Sequence, residues 1–298
     1  MKYIDVREAS AKWGISDRRI RLLCAEGRID GAIKLGWSWT IPADTPKPTD
    51  GRILRRFKTI AIRPGSVDVD ALSRMMEKVS VSEDLYENAA FKNVIRESSE
   101  TLLEYDGTVI DDKDARSILS GRVVPYVPLE THLALLNARS VIFSLVRNKE
   151  KLCEKDAKEL YVRLMQGIDD VSSVDYREGY AVYPAREEEQ APTDVEMETM
   201  FMQYENSWRN YQGITSAVLL YVSLLRIQPY ADYPSLYAYL LLCAELLRNG
   251  ILPPLMDKDS EAEAKAAFSL AIKRGNYEDF THFIERKIHD SYKVIGNV

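Results

Sequence analysis

The chain reads as a mainly α protein. A small module of two short helices and a hairpin is followed by a long, all-helical body with one strand-like interruption. Three observations predict this. From about residue 67 onward, apolar residues recur at helical spacing in ten successive segments. A single stretch, 174–184, alternates instead and contains a glycine. The charge is also divided: residues 1–58 hold 13 Lys+Arg against 7 Asp+Glu, a net of +6, so with −6 overall the remainder carries −12. A basic head on an acidic body directs the search for nucleic-acid contact to the N-terminal segment.

A length of 298 residues suggests two or three domains. A hydrophobic content of 46% with 29% charged residues is that of an ordinary globular protein. No apolar run approaches the roughly 18–20 residues that span a bilayer, and the start lacks the apolar core of a signal peptide. Cys24, Cys153 and Cys243 are too few and too scattered for a disulfide framework or a clustered zinc site. They read as small hydrophobes, and the expected location is the reducing cytoplasm.

In the module, Asp5 is a candidate N-cap with Glu8 three residues on, as in a capping box. Val6, Ala9, Ala11 and Trp13 supply the apolar face of a first helix. Gly14-Ile15 makes a turn, Ser16 caps a second helix, and Gly27 ends it. Ile20, Leu23 and Cys24 are spaced to face inward, which puts Arg18 and Arg21 together on the opposite side with Arg19 beside them. The next stretch, 29–42, is β-prone on either side of Gly36 and reads as a hairpin. Two helices with arginines near the start of the second, then a hairpin, is winged helix-turn-helix geometry.

Residues 3–9, Trp13-Gly14-Ile15-Ser16, Arg18-Arg19-Ile20-Arg21, Glu26-Gly27-Arg28-Ile29 and Gly36-Trp37-Ser38-Trp39-Thr40-Ile41-Pro42 together resemble the winged helix-turn-helix of the MerR/excisionase-type families. The resemblance implies that Ser16, Arg18, Arg19 and Arg21 meet the major groove of double-stranded DNA, and that Lys34 and the wing tip near Trp37 meet backbone or minor groove. Arg19 fits a solvated face equally well, and Trp39 is better read as packing. A module of this size binds weakly alone, so a homodimer on paired half-sites is expected. Its bounds are 1–43. Residues 44–56, rich in Pro and polar groups, form a linker.

Beyond the linker, the spacing predicts helices over 68–79, 84–104, 111–120, 128–147, 154–167, 194–211, 215–227, 236–250, 262–274 and 277–292. Residues 57–126 form an N-terminal helical arm and 127–298 the main helical domain. Between two apolar helices lies a turn with two prolines, 228–235. Such a joint can aim the backbone N–H groups of the second helix at an anion. Yet no His, Lys or Arg follows Arg226 in it.

The order of elements is informative. Asn137 lies in a long helix. Lys158 to Ile168 follows, then Tyr176-Arg177 with the hairpin, then Ala217 to Ile227 and the turn. After the turn a helix runs into Gly250-Ile251-Leu252-Pro253-Pro254, and Gly275-Asn276-Tyr277-Glu278-Asp279-Phe280 comes last. This series resembles the Fic domain of the Fic/DOC family, from about 127 to 292. It implies an all-α Fic-like domain with a short β-hairpin flap at Tyr180, Ala181, Val182 and Tyr183. It also implies a loop of the form His-Pro-Phe-x-(Asp/Glu)-Gly-Asn-Gly-(Arg/Lys), whose members transfer AMP from ATP to a protein hydroxyl. Here Gln228 stands for the His. Pro229 matches, and Tyr230 replaces Phe. Asp232 matches the acidic, metal-binding position. Tyr233, Pro234 and Ser235 replace Gly-Asn-Gly, Leu236 replaces the basic residue, and Tyr239 falls where a second arginine is usual. Glutamine cannot act as a general base, a role worth roughly 10²–10⁴ in rate. Pro234 has no N–H, side chains crowd the phosphate cradle, and nothing offsets a triphosphate's charge. No metal is expected. Asp232 is the one weak candidate ligand, read instead as a remnant or a helix cap. Upstream, Leu102-Leu103-Glu104-Tyr105-Asp106-Gly107 resembles the family's inhibitory motif (Ser/Thr)-x-x-x-Glu-(Gly/Asn), with Asp106 at the acidic position and Gly107 matching. Without its arginine partner, that acid is expected to have no role.

The function these features support is a DNA-binding transcriptional regulator whose Fic-like domain lacks AMP transfer, and so has no catalytic residues and no cofactor. The domain would serve dimerisation or hold a ligand or protein partner. Two alternatives stand: a variant protein adenylyltransferase, which would bring in ATP and Mg²⁺, and an antitoxin-like partner of an active Fic protein.

Overall fold

A computed structural model describes residues 3–13, 16–25, 29, 31–36, 38–43, 45, 62–148, 150–169, 175–183, 191–211 and 213–296, apart from the side chains of Arg19 and Leu35. The chain divides into two compact units, Met1–Phe57 and Lys58–Val298.

In the first unit, β1 (Tyr3–Asp5) leads into α1 (Val6–Trp13) and α2 (Asp17–Ala25), and a hairpin of β2 (Ile33–Leu35) and β3 (Ser38–Pro42) follows. The capping box forms. Asp5 Oδ1 accepts from the Glu8 amide at 2.8 Å, and Glu8 returns a bond to the Asp5 amide at 3.1 Å. Gly36, with φ +60°, turns the hairpin, in which Leu35 faces Ser38. The sequence pattern does not predict a strand at Tyr3–Asp5, but this segment pairs antiparallel with β3 and completes a three-stranded sheet ordered β1-β3-β2. Val6, Ala9, Trp13, Ile20, Leu23, Cys24, Ile29 and Ile41 form the core, and Trp39 packs on it half-buried. Ala11 is exposed rather than inward. It lies two residues, about 200° of helix, beyond Ala9, which puts it on the outer side.

The second unit is helical. Its helices are α3 (Val69–Lys78), α4 (Ala89–Tyr105), α5 (Asp112–Leu119), α6 (Leu129–Arg147), α7 (Glu154–Leu164), α8 (Thr193–Asn206), α9 (Gly213–Ile227), α10 (Pro234–Arg248), α11 (Glu261–Arg274) and α12 (Glu278–Gly296). The expected 84–104 helix is a short 3-10 turn, Glu83–Tyr86, and then α4. The break comes at Asn88, whose side chain caps α4 by accepting from the Phe91 amide. Asp68 and Asp111 cap α3 and α5 in the same way.

Helices α9 and α10 are apolar around nearly their whole circumference, so both must be buried on all sides. They pack against each other in the middle of the unit, with α4, α6 and α7 against α10, and α8 and α12 against α9. The body's first described residues strap onto α12. Arg63 pairs with the Gly275–Tyr277 backbone, and the Asp68 amide donates to Glu285 Oε1 at 2.7 Å. Gly65 lies so close to Thr281 that a Cβ there would collide with its side chain. Among the described residues no helix is long and apolar enough to cross a membrane. Cys24 and Cys243 are buried, and Cys153 caps α7.

Candidate functional site

The site is built at the joint of α9 and α10. Gln228 still donates its amide back to Leu224 O at 2.8 Å, as a helical residue would, but its own φ is +47° and α9 stops there. Tyr233 is the other non-glycine with positive φ among the described residues, at φ 51° and ψ 44°. Two left-handed side-chain-bearing residues, each costing about 1–2 kcal/mol, bracket one short turn. Tyr233, the residue the resemblance aligns with the first glycine of the Fic-type loop, thus adopts a glycine-like bend.

The carbonyls left over at the end of α9 are met by the stretch 175–183. The Tyr183 amide donates to Arg226 O at 3.0 Å, and the Arg177 amide to Pro229 O at 2.9 Å. The Arg177 guanidinium donates to Gln228 O at 2.6 Å and to Ile227 O at 3.0 Å. A cation on a helix C-terminus is electrostatically well placed. Tyr180 meets Pro192 through a single antiparallel bridge. The flap thus spends its backbone on the helix end, with Ala181 buried and Tyr180, Val182 and Tyr183 outward. The role of Arg177 was not visible in the sequence, because the carbonyls it serves lie 50 residues away.

At the other side of the turn, α10 begins with Pro234, which needs no N–H partner in a first turn. The amides of Ser235 and Leu236 do need one. Both find the carboxylate of Asp106: Ser235 N lies 2.9 and 3.1 Å from its two oxygens, and Leu236 N lies 3.1 Å from Oδ2. Asp106 sits at the C-terminus of α4, and Gly107, with φ +89°, ends that helix so that the carboxylate can reach across. This corrects two expectations. Asp106 is not idle; it occupies the anion position of the helix N-terminus. Asp232 is not the cap of α10, since it is exposed and no side chain within the turn caps the helix. Burial pushes the Asp106 carboxyl up from its ordinary value, while the bonds from Ser235 and Leu236 pull it back in part.

The other replaced positions have become core. Leu236 and Tyr239 are fully buried, and the Tyr239 hydroxyl donates to Pro254 O at 2.9 Å. Tyr230 lies flat on Tyr161, with centroids 3.6 Å apart, and meets Tyr237 edge-on. Pro229 is buried and Tyr233 half-buried against the core. Leu102, at the hydroxyl position of the inhibitory motif, is fully buried. Arg226 is held by Glu196 of α8 at 2.6 Å. No basic residue of the turn is left to face a ligand.

None of Tyr230, Tyr233 and Tyr239 fills the space beside Gln228. A cavity of about 410 Å³ opens there, walled by Tyr105, Tyr183, Tyr221, Phe268 and Phe280, with Gln228 and Ser235 on its polar side. Among the described residues, no group of three His, Cys, Asp or Glu is placed to hold a metal ion.

In the first unit Arg21 is exposed and pairs loosely with Asp17 at 3.8 Å, and Arg18 is exposed one turn earlier on the same side. Ser16 is exposed, and its carbonyl accepts from the Ile20 amide. Lys34 is exposed, 6.0 Å from the Trp39 ring across the hairpin. Trp37, Gly14-Ile15, Gly27 and nearly all of the linker lie outside the described residues.

No protein-family model matches the chain, and no curated protein matches it. Solved structures do. The chain is similar to Fic-1 of C. elegans at 20% identity and a TM-score of 0.57, over 77% of this chain and 73% of that one. It is similar to a Fic family protein from Desulfovibrio desulfuricans G20 at 16% identity and a TM-score of 0.52, over 78% and 75%. A Fic domain containing signaling protein from Bacteroides thetaiotaomicron VPI-5482 gives 15% and 0.59, over 78% of this chain and 98% of that one. The fold is therefore mainly α and Fic-like.

Proposed function

We propose that this protein is a DNA-binding regulator whose Fic-like body does not transfer AMP and instead serves as a ligand- or partner-binding unit. The observation that carries the reading is Asp106 seated on the Ser235 and Leu236 amides. A carboxylate in that place repels a phosphate and takes up the donors that would hold it. With Gln228 in place of a base and Leu236 and Tyr239 withdrawn into the core, the body lacks proton acceptor, cradle and counter-charge together. The basic helix face of Arg18 and Arg21 beside a hairpin, on a segment of net charge +6, then supports double-stranded DNA as the partner. A homodimer reading paired half-sites fits the module's small size.

The test is a gel-shift titration of the full-length protein on its own upstream region at low salt. A shift whose affinity falls steeply with added salt is expected, and no shift on any fragment would refute DNA binding. The open cavity beside Gln228 and the seated flap favour a second reading, a variant adenylyltransferase using ATP and Mg²⁺. Incubation with labelled ATP and lysate would show labelled protein if it held. An antitoxin-like role would show as co-purification of an active Fic protein.

A further inference from the structure

We infer that the cavity beside Gln228 binds a small, flat-ring cation, an aromatic amine without phosphate or carboxylate groups. This rests on the reading of the body as a ligand-binding unit and names the class of ligand. Its volume, about 410 Å³, lies in the range of roughly 300–1,000 Å³ usual for small-molecule sites.

The walls are rings. Tyr183 of the flap meets Phe268 edge-on at 5.6 Å, and Phe268 meets Phe280 at 6.5 Å. Tyr105 and Tyr221 close the far side. Such a box favours a planar ring by stacking and a cation by the negative faces of the rings. The charged groups point the same way. Glu104, Glu261 and Lys265 line the cavity, and the two glutamates are paired with Lys258 and Lys265 respectively. Asp106 stands directly behind Ser235, and among the described residues no Lys or Arg pairs with it. The two ion pairs cancel, so Asp106 alone leaves the surroundings net negative. Tyr105 responds to them: burial first, then the field of Glu261, Asp257 and Glu104, pushes its hydroxyl up to about 12. The Gln228 amide, half-buried and making no side-chain hydrogen bond among the described residues, is left to fix the ligand's polar edge. The one cation in the lining, Lys265, is already paired with Glu261, and Asp106 holds the amides that would otherwise receive an anionic ligand.

Three probes share one ring and differ in charge: tryptamine, indole and indole-3-acetate. Isothermal titration of the full-length protein is expected to rank them in that order, with tryptamine at least about tenfold tighter than indole-3-acetate. Glu104→Gln with Glu261→Gln, both at partly exposed side chains, should remove most of that preference while leaving indole unchanged. Tyr183→Ala, at a residue 46% exposed, should weaken all three. Indole-3-acetate binding as tightly as tryptamine would overturn the inference, as would no binding of any probe at millimolar concentration. If the probes fail while DNA is still shifted, only the ligand class falls. Labelled AMP appearing on protein would instead overturn the non-transferring reading beneath it.

Discussion

Asp106→Ala is the perturbation that most directly probes the joint. The carboxylate satisfies two backbone donors through three contacts of 2.9–3.1 Å. Removing it leaves the Ser235 and Leu236 amides without a protein partner, at about 1–3 kcal/mol each. Ser235 borders the cavity, so water can replace part of the loss, and about 2–4 kcal/mol in total is expected. For a unit of this size that lowers Tm by roughly 2–4 °C per kcal/mol. Asp106→Asn keeps one acceptor and should cost less, about 1–2 kcal/mol. The freed amides should also accept an outside anion, so 50 mM phosphate should restore part of the Tm of the Ala variant and leave the parent protein unmoved. Because burial raises the folded carboxyl above its ordinary 3.8, the stability it contributes is full below that value and is lost as pH rises through the folded one. The gap between parent and Asn variant should therefore narrow from pH 4 upward. Thermal melts in chloride and in phosphate measure all of this. An Ala variant as stable as the parent, or equal phosphate effects on both, would refute the reasoning.

Arg18→Ala and Arg21→Ala should each weaken DNA binding and reduce the salt slope by about 1, with helix content by circular dichroism unchanged. Gln228→His restores the missing base but not the cradle or the cations, so no AMP transfer from labelled ATP should appear; transfer would show that the base alone was limiting. Arg248→Ala removes the counter-charge of Glu245, which is 1% exposed and bound by Arg248 at 2.8 Å, leaving only the Tyr204 hydroxyl and Asn249 as its donors, and should cost about 3 kcal/mol in urea melts, with Glu245→Gln milder. Burial raises the Asp257 carboxyl, but the bonds from Lys287 and Ser260 outweigh it and hold the group below 3.8. Stability from that pair is present above the ordinary value and is lost as pH falls through the folded one, so Asp257→Asn should flatten the acid limb of a melt series below pH 4.

The helices were legible because burying α9 and α10 requires apolar residues around nearly their full circumference, and because Asp68 and Asp111 mark starts by local chemistry, whereas the start at Asn88, inside a continuous apolar pattern, was not. The capping box of α1 was legible for the same reason, since its partners are three residues apart. Strand β1 was not: three residues carry no periodicity, and what fixes them is pairing with residues 40–42. The joint was half legible. Its departures from the Fic-type pattern could be read position by position, because each is a single side chain. What fills the gap could not, because Asp106 and Ser235 are 129 residues apart and an aspartate at a helix end looks like any other. The same limit hid Arg177 and left Asp232, the nearer acid, as the apparent cap.

The residues at the joint form a coherent set. A helix N-terminus presents partial positive charge and orphan N–H groups whatever its sequence, and once buried they must be met. In a phosphate-binding loop a bound anion can meet them, with nearby cations offsetting its charge. Here the chain meets them itself, and the cations then become a liability: an arginine at 236 or 239 would be a charge at a fully buried position. Leucine and tyrosine there, a proline that lacks one of the N–H groups, and an aspartate reaching over from α4 form one mutually consistent set. The left-handed bends at Gln228 and Tyr233 place the two helices against each other, a packing requirement. Changing any single position would therefore meet opposition from the rest. Leu236→Arg buries a charge, and Asp106→Ala strands two amides. Neither alone builds an anion site with its own counter-charge, which would need several of these changes at once.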